Sequence, residues 1–208
     1  MIRLDPATAS PAAPPAVPAW ALASAGAPSD SDAAFQAGAV LASLDSLARA
    51  QPAWAGAWRQ RLALKCAAAS MRLAGRAEDE ARLRDAWQLC PAGADPGPAG
   101  AIFGAWRHLA LQPPAASADR LAKVVEMLGL AWDDGALADL CTQIEDVAVS
   151  WRPVPFAAAA IAAHVVAMRP DAELFGWWLA DLVPAQRLRW PRPPQAAGEE
   201  NSPAWQYP

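Results

Sequence analysis

Between Asp32 and Arg189 the apolar residues recur every three or four positions, and no stretch alternates apolar with polar for long. That period belongs to helices rather than strands, and the breaks between periodic blocks predict seven or eight of them. Asp30, Ser31 and Asp32 offer N-caps for a first helix over 32–50. Its stripe runs through Phe35, Ala39, Ala42 and Leu47, with Val40, Leu41 and Leu44 alongside. Pro52 suits the first turn of a second helix that places Trp58, Leu62, Cys66, Ala69 and Leu73 on one side and stops at Gly75. A third spans 77–89 with Glu78, Asp79 and Glu80 in its first turn, where the helix dipole favours negative charge.

The stretch Cys90 to Gly100 breaks the pattern with three glycines and three prolines. Asp95 and Pro96 introduce a fourth helix containing Ile102, Phe103, Trp106 and Leu109, which Pro113 and Pro114 end. Ser117 caps a fifth that stops near Gly129. Asp133 or Asp134 starts a sixth, with Leu137, Leu140, Cys141 and Ile144 inward. Pro153 and Pro155 open an alanine-rich seventh that ends before Pro170, and an eighth begins at Asp171 with the stripe Leu174, Trp178 and Leu182. Pro184 should kink or end it. The expected fold is all-α, in one domain over 30–190. It lies between a disordered Pro/Ala-rich arm, 1–29, and a Pro-rich tail, 191–208.

Composition refines this picture. Hydrophobic residues make up 54% of the chain, much of it alanine, which has the highest helix propensity and lets helices approach closely. Eleven tryptophans should anchor one helix to another, with Trp20 and Trp205 set apart by their Pro-rich surroundings. Cys66, Cys90 and Cys141 are odd in number and widely spaced, which argues against a disulfide framework or zinc site and suits a reducing cytoplasm. Within 30–190 the longest uncharged run, 153–168, is short of the roughly 20 residues that cross a bilayer, so no membrane role is expected.

The net charge of −4 argues against a general nucleic-acid coat. Charge is unevenly distributed: residues 52–89 carry seven basic and four acidic side chains, whereas 124–151 carry six acidic and no Lys or Arg. Attraction between these two regions within the fold is the simplest expectation, ahead of a basic face that waits for a polyanion.

Candidate chemistry is sparse. His108, near the end of a helix, reads as a cation on the C-terminal dipole, and His164, among alanines, as a core histidine. No His/Cys/Glu spacing supplies a metal site, and no cofactor is expected. DPGPAG, 95–100, lacks the Lys-Ser/Thr of a phosphate loop and reads as a turn. Arg187, Arg189, Trp190 and Arg192 interleave cations with an aromatic ring, a composition that can bind phosphate and stack bases, but three arginines are few and a solvated or self-docked tail is the preferred reading.

Several strings together resemble one bacterial family. GAVLASLDSL, WAGAWRQRLALKCAAASMRLAGRAEDEARLRDAWQL, PGPAGAIFGAWRHLA, RPDAELFGWWLADLV and AQRLRWPRP are similar to members of the DUF1403 family of unknown function, over 32–193. The resemblance implies a bacterial, alphaproteobacterial, cytosolic protein and supplies no activity. A fainter likeness links SMRLAGR, 70–76, to the inhibitory helix of Fic-type AMP-transferases. Ser70 and Gly75 match its pattern, but Ala74 stands where the glutamate belongs and the Fic active-site motif is absent.

Three functional readings follow. The preferred one is a non-enzymatic helical interaction module, bound to a protein partner or to itself through an apolar patch larger than a few hundred Å². The second is a nucleic-acid-associated accessory protein using Arg59, Arg61, Lys65 and the 187–192 segment. The third is an enzyme centred on His164 and Asp181.

Overall fold

A computed structural model describes residues 16–22 and 29–190, and among these the chain is helical without a strand. Eight helices follow in order: α1 (Asp30–Ala50), α2 (Ala55–Leu73), α3 (Glu80–Gln88), α4 (Gly97–Leu111), α5 (Ala118–Met127), α6 (Asp134–Val149), α7 (Val154–Met168) and α8 (Glu173–Arg187). Short 3-10 turns lie at Ala19–Ala21 and Pro170–Ala172. The arm's residues 1–15 and 23–28 and the tail's 191–208, including Arg192 and Trp205, lie outside the described residues.

Local chemistry sets most of these boundaries. Ser29 caps α1 two residues earlier than expected, in a reciprocal box with Asp32. Ser117 accepts from Arg120 N and Asp133 from Ala136 N, at the predicted starts of α5 and α6. Gly75 and Gly129 take left-handed φ of 70° and 69° just past α2 and α5. There Arg76 N donates to Met71 O and Leu130 N to Val125 O, satisfying carbonyls the helix ends would leave open. Three further boundaries differ from expectation. Asp79 caps α3 through Arg82 N rather than occupying its first turn. Pro52 precedes α2 in a turn closed by Ala55 N on Pro52 O. Pro184 does not end α8: its buried neighbours Leu182 and Val183 hold the turn in the core, and the helix runs on to Arg187.

α4 is the hub. The Trp106 indole Nε1 donates to Ser70 Oγ on α2 at 3.0 Å, and Trp178 Nε1 of α8 donates to Ala105 O at 2.9 Å. Both rings are buried, so these bonds satisfy donors that would otherwise be stranded. On α4's third side Gly104 lies under the Trp87 ring of α3; a Cβ there would sit 2.5 Å from the ring. α7 and α8 form an antiparallel pair in which Gly176 lets the backbones close, since a Cβ would meet Ala162 O at 3.1 Å. Phe175, Leu179 and Leu182 complete the core against Leu121, Leu140 and Ile144.

Two predicted faces are rotated. α2 buries Ala63, Ala67, Ser70 and Met71, while Leu62 and Leu73 are exposed. Small side chains let α2 approach α4 closely, so proximity rather than side-chain hydrophobicity selects the inward face. α1 buries only Ala48; Phe35 and Ala42, expected inward, face solvent. The expected attraction between basic and acidic regions is not formed either. The basic block pairs within itself, as Lys65 with Glu80, Arg76 with Glu78 and Arg84 with Asp85.

Candidate interaction surface

The candidate site is the corner where α6 turns into α7. Ser150 ends α6, its hydroxyl donating to Val147 O at 2.8 Å. Pro153 then prevents the helix from resuming, and Pro155 supplies the preset φ for the first turn of α7. The chain between them cannot fold inward, and its apolar side chains stay outside. Val149 is 85% exposed, Trp151 93% and Phe156 42%. Trp151 and Phe156, with Arg152, Pro153, Ala159 and Ala160, bound an open hollow of about 610 Å³.

The corner is held from beneath. Arg187, in the last turn of α8, donates to Ser150 O at 2.5 Å and to Val147 O at 3.5 Å. A cation there also meets the negative end of the α6 dipole. Three residues beyond α8, Trp190 Nε1 donates to Asp45 Oδ1 at 2.9 Å, and Arg49 donates to Leu188 O at 2.7 Å. The last described residue therefore sits beside both α1 and the α6–α7 corner. A second apolar exposure lies on α1, where the Trp20 ring packs 6.2 Å from Phe35 and both stand open to solvent.

The residues singled out in the sequence are dispersed. Arg59 is half-buried and reaches Gln51 at 3.4 Å, with burial lowering its pKa. Lys65 faces Glu80 at 3.9 Å, and Arg61 is exposed with no ion pair among the described residues. Arg187 and Trp190 are engaged inside the fold, while Arg189 is exposed at a left-handed φ of 50°. Ser70 and Gly75, the positions of the Fic-like pattern, serve the Trp106 bond and the α2 stop.

His164 and Asp181 are not brought together. Pairing Gly176 with Ala162 in the antiparallel α7–α8 register sets His164 level with Leu174, about 10 Å along the axis from Asp181. His164 Nε2 is buried without a partner. His108 was expected as a terminal cation, but its surroundings disfavour that form: burial lowers its pKa, and the charges of Arg120 and Lys123 add to the effect. Among the described residues no group of three His, Cys, Asp or Glu side chains could hold a metal, and no helix is long and apolar enough to cross a membrane.

Two perturbed environments were not foreseen in the sequence, that of Arg120 and that shared by Asp181 and Cys66. Arg120 lies 5.3 Å over the Trp178 ring, with Nη1 donating to Ala115 O at 3.0 Å, and burial brings its pKa down to about 10. The other is a pair. Crowding by the surrounding helices pushes the Asp181 carboxyl up to about 6, although the residue has an open side through which water moderates the effect. Across from it on α2, burial and then the charge of Asp181 push the Cys66 thiol up to about 11. Such a thiol stays protonated and unreactive at neutral pH. Trp151 was legible only as one more tryptophan; its place between Ser150 and Pro153, outside any helical period, is the signal that separates it from the core rings.

The chain belongs to the DUF1403 family, described as a protein of unknown function, whose family model matches residues 6–204. No curated protein and no solved structure matches it.

Proposed function

We propose that this member of the DUF1403 family is a non-enzymatic interaction module that docks a protein partner on the α6–α7 corner. One observation carries the reading: an indole 93% exposed, on a corner whose backbone is fixed by two prolines and by Arg187. A large apolar side chain held rigidly in water loses little conformational entropy when it is covered, which is the character of an interface anchor. The scarcity of catalytic geometry supports the same reading: His164 and Asp181 stand apart, and Cys66 is held as a thiol.

The polyanion reading draws on less. Among the described members of its basic set, Arg61 and Arg189 alone are exposed with no side-chain hydrogen bond or ion pair, and they are far apart in the chain, Arg61 on α2 and Arg189 past the end of α8.

The test is recovery of the tagged full chain from its native host, wild type beside Trp151→Ser. The substitution touches an exposed side chain and leaves thermal stability within about 0.5 kcal/mol. The expected result is a protein that accompanies the wild type and is lost from the variant. An unchanged set of accompanying proteins sinks the proposal, and so does nuclease-sensitive nucleic acid as the sole companion.

A further inference from the structure

The geometry points to the chain's own segment 191–208 as the occupant of the α6–α7 hollow, a cover that a partner has to displace. The inference rests on the docking reading above and adds what sits on the surface when no partner is bound.

The first support is position. The described chain ends at Trp190, pinned by its indole to Asp45, three residues after Arg187 has bonded to Ser150. The last described residue thus follows by three positions the arginine whose side chain reaches the residue that precedes Trp151. From Trp190 to Trp205 the chain can extend up to about 50 Å, whereas the 15 residues of α7 are only about 22 Å long. The segment reaches every part of the hollow with slack.

The second support is chemistry. The segment holds five prolines, together with Trp205 and Tyr207. Proline-rich chain favours the extended polyproline conformation and docks in aromatic-lined grooves with little ordering entropy left to lose. The hollow offers that lining in Trp151, Pro153 and Phe156. Charge agrees: Arg152 on the rim makes no ion pair among the described residues, and the segment's acidic residues are Glu199 and Glu200.

The third support is size. A hollow of about 610 Å³ falls within the ~300–1,000 Å³ of pockets that hold compact ligands. A stable interface between two copies needs about 20–30 residues a side. A tethered segment also competes at an effective concentration on the order of millimolar, which a second copy in dilute solution does not match.

The experiment places the photo-crosslinker benzoylphenylalanine at Tyr207 of the full chain, the most conservative position in the segment for it. After irradiation of dilute protein, a denaturing gel separates adducts within one chain from adducts between chains, and peptide mass spectrometry locates them. The expected result is an intrachain adduct to residues 147–160, lost in Trp151→Ser. An adduct elsewhere in the chain, one between chains, or none overturns the cover. The two readings fail separately. If the adduct lies elsewhere while Trp151→Ser still sheds its partner, the docking surface stands without the cover. If the adduct maps to the hollow and Trp151→Ser keeps its companions, the segment remains a structural strap and the docking reading falls.

Discussion

Replacing Ser70 by alanine tests the hub of the fold with three atoms in view. Ser70 is 1% exposed; its Oγ accepts the Trp106 indole at 3.0 Å and donates to Cys66 O at 2.9 Å. Losing the second bond costs little, because Cys66 O keeps its bond from the helix backbone. Losing the first strands a buried N–H, at about 1–3 kcal/mol. Alanine's higher helix propensity returns about 0.5 kcal/mol, leaving a net loss of about 0.5–2.5 kcal/mol. For a chain of this size that lowers the melting temperature by roughly 1–10 °C. Urea unfolding followed by circular dichroism measures it, an unchanged slope confirming that the comparison is two-state. The decisive arm is a double-mutant cycle with Trp106→Phe. Once the indole N–H is gone, Ser70→Ala has no donor to strand, so its cost drops by about 1 kcal/mol or more. Equal costs in both backgrounds refute the hub.

Gly176→Ala should destabilise. Its Cβ meets the Ala162 carbonyl oxygen at 3.1 Å, and backbone cannot rotate away, so overpacking of about 1–3 kcal/mol outweighs a helix-propensity gain of at most about 1 kcal/mol; a raised melting temperature contradicts this. Asp181 sets a pH dependence of unusual sign. Its folded pKa of about 6 lies above the unfolded 3.8, so the folded state holds the proton more tightly, and stability falls as pH rises between about 4 and about 6. Asp32, Asp45, Glu78 and Asp171 have lowered values and work oppositely, losing stability in stronger acid. The difference between wild type and Asp181→Asn isolates the effect: the variant is the more stable at pH 7, and the gap closes towards pH 4. The same variant should speed alkylation of Cys66 at pH 8, since Asp181's charge helps hold that thiol protonated; an unchanged rate separates the two groups.

What the sequence made legible was local. Caps and stops are decided by a few adjacent residues, so Ser117, Asp133, Gly75 and Gly129 could be placed from the chain alone. The inward faces of α1 and α2 could not. On an alanine-rich helix hydrophobicity hardly distinguishes one side from another, and the distance to the neighbouring helix decides; Leu62 and Leu73 lost to Ala63 and Ala67 for that reason. The candidate surface escaped the reading because tryptophan is read as a core residue by default, and Trp151 is a core residue type held outside by its prolines. Asp181 was named beside His164 as a candidate, but its proximity to Cys66 depends on how the helices assemble. The resemblance to the DUF1403 family was read correctly from long strings, which need no tertiary information.

The claim that the α6–α7 corner is the docking surface is tested most directly by hydrogen–deuterium exchange on the full chain, alone and in the complex recovered from its host. The account predicts that exchange across 147–160 slows in the complex more than in any other segment. Slowing centred elsewhere, with 147–160 unchanged, contradicts it.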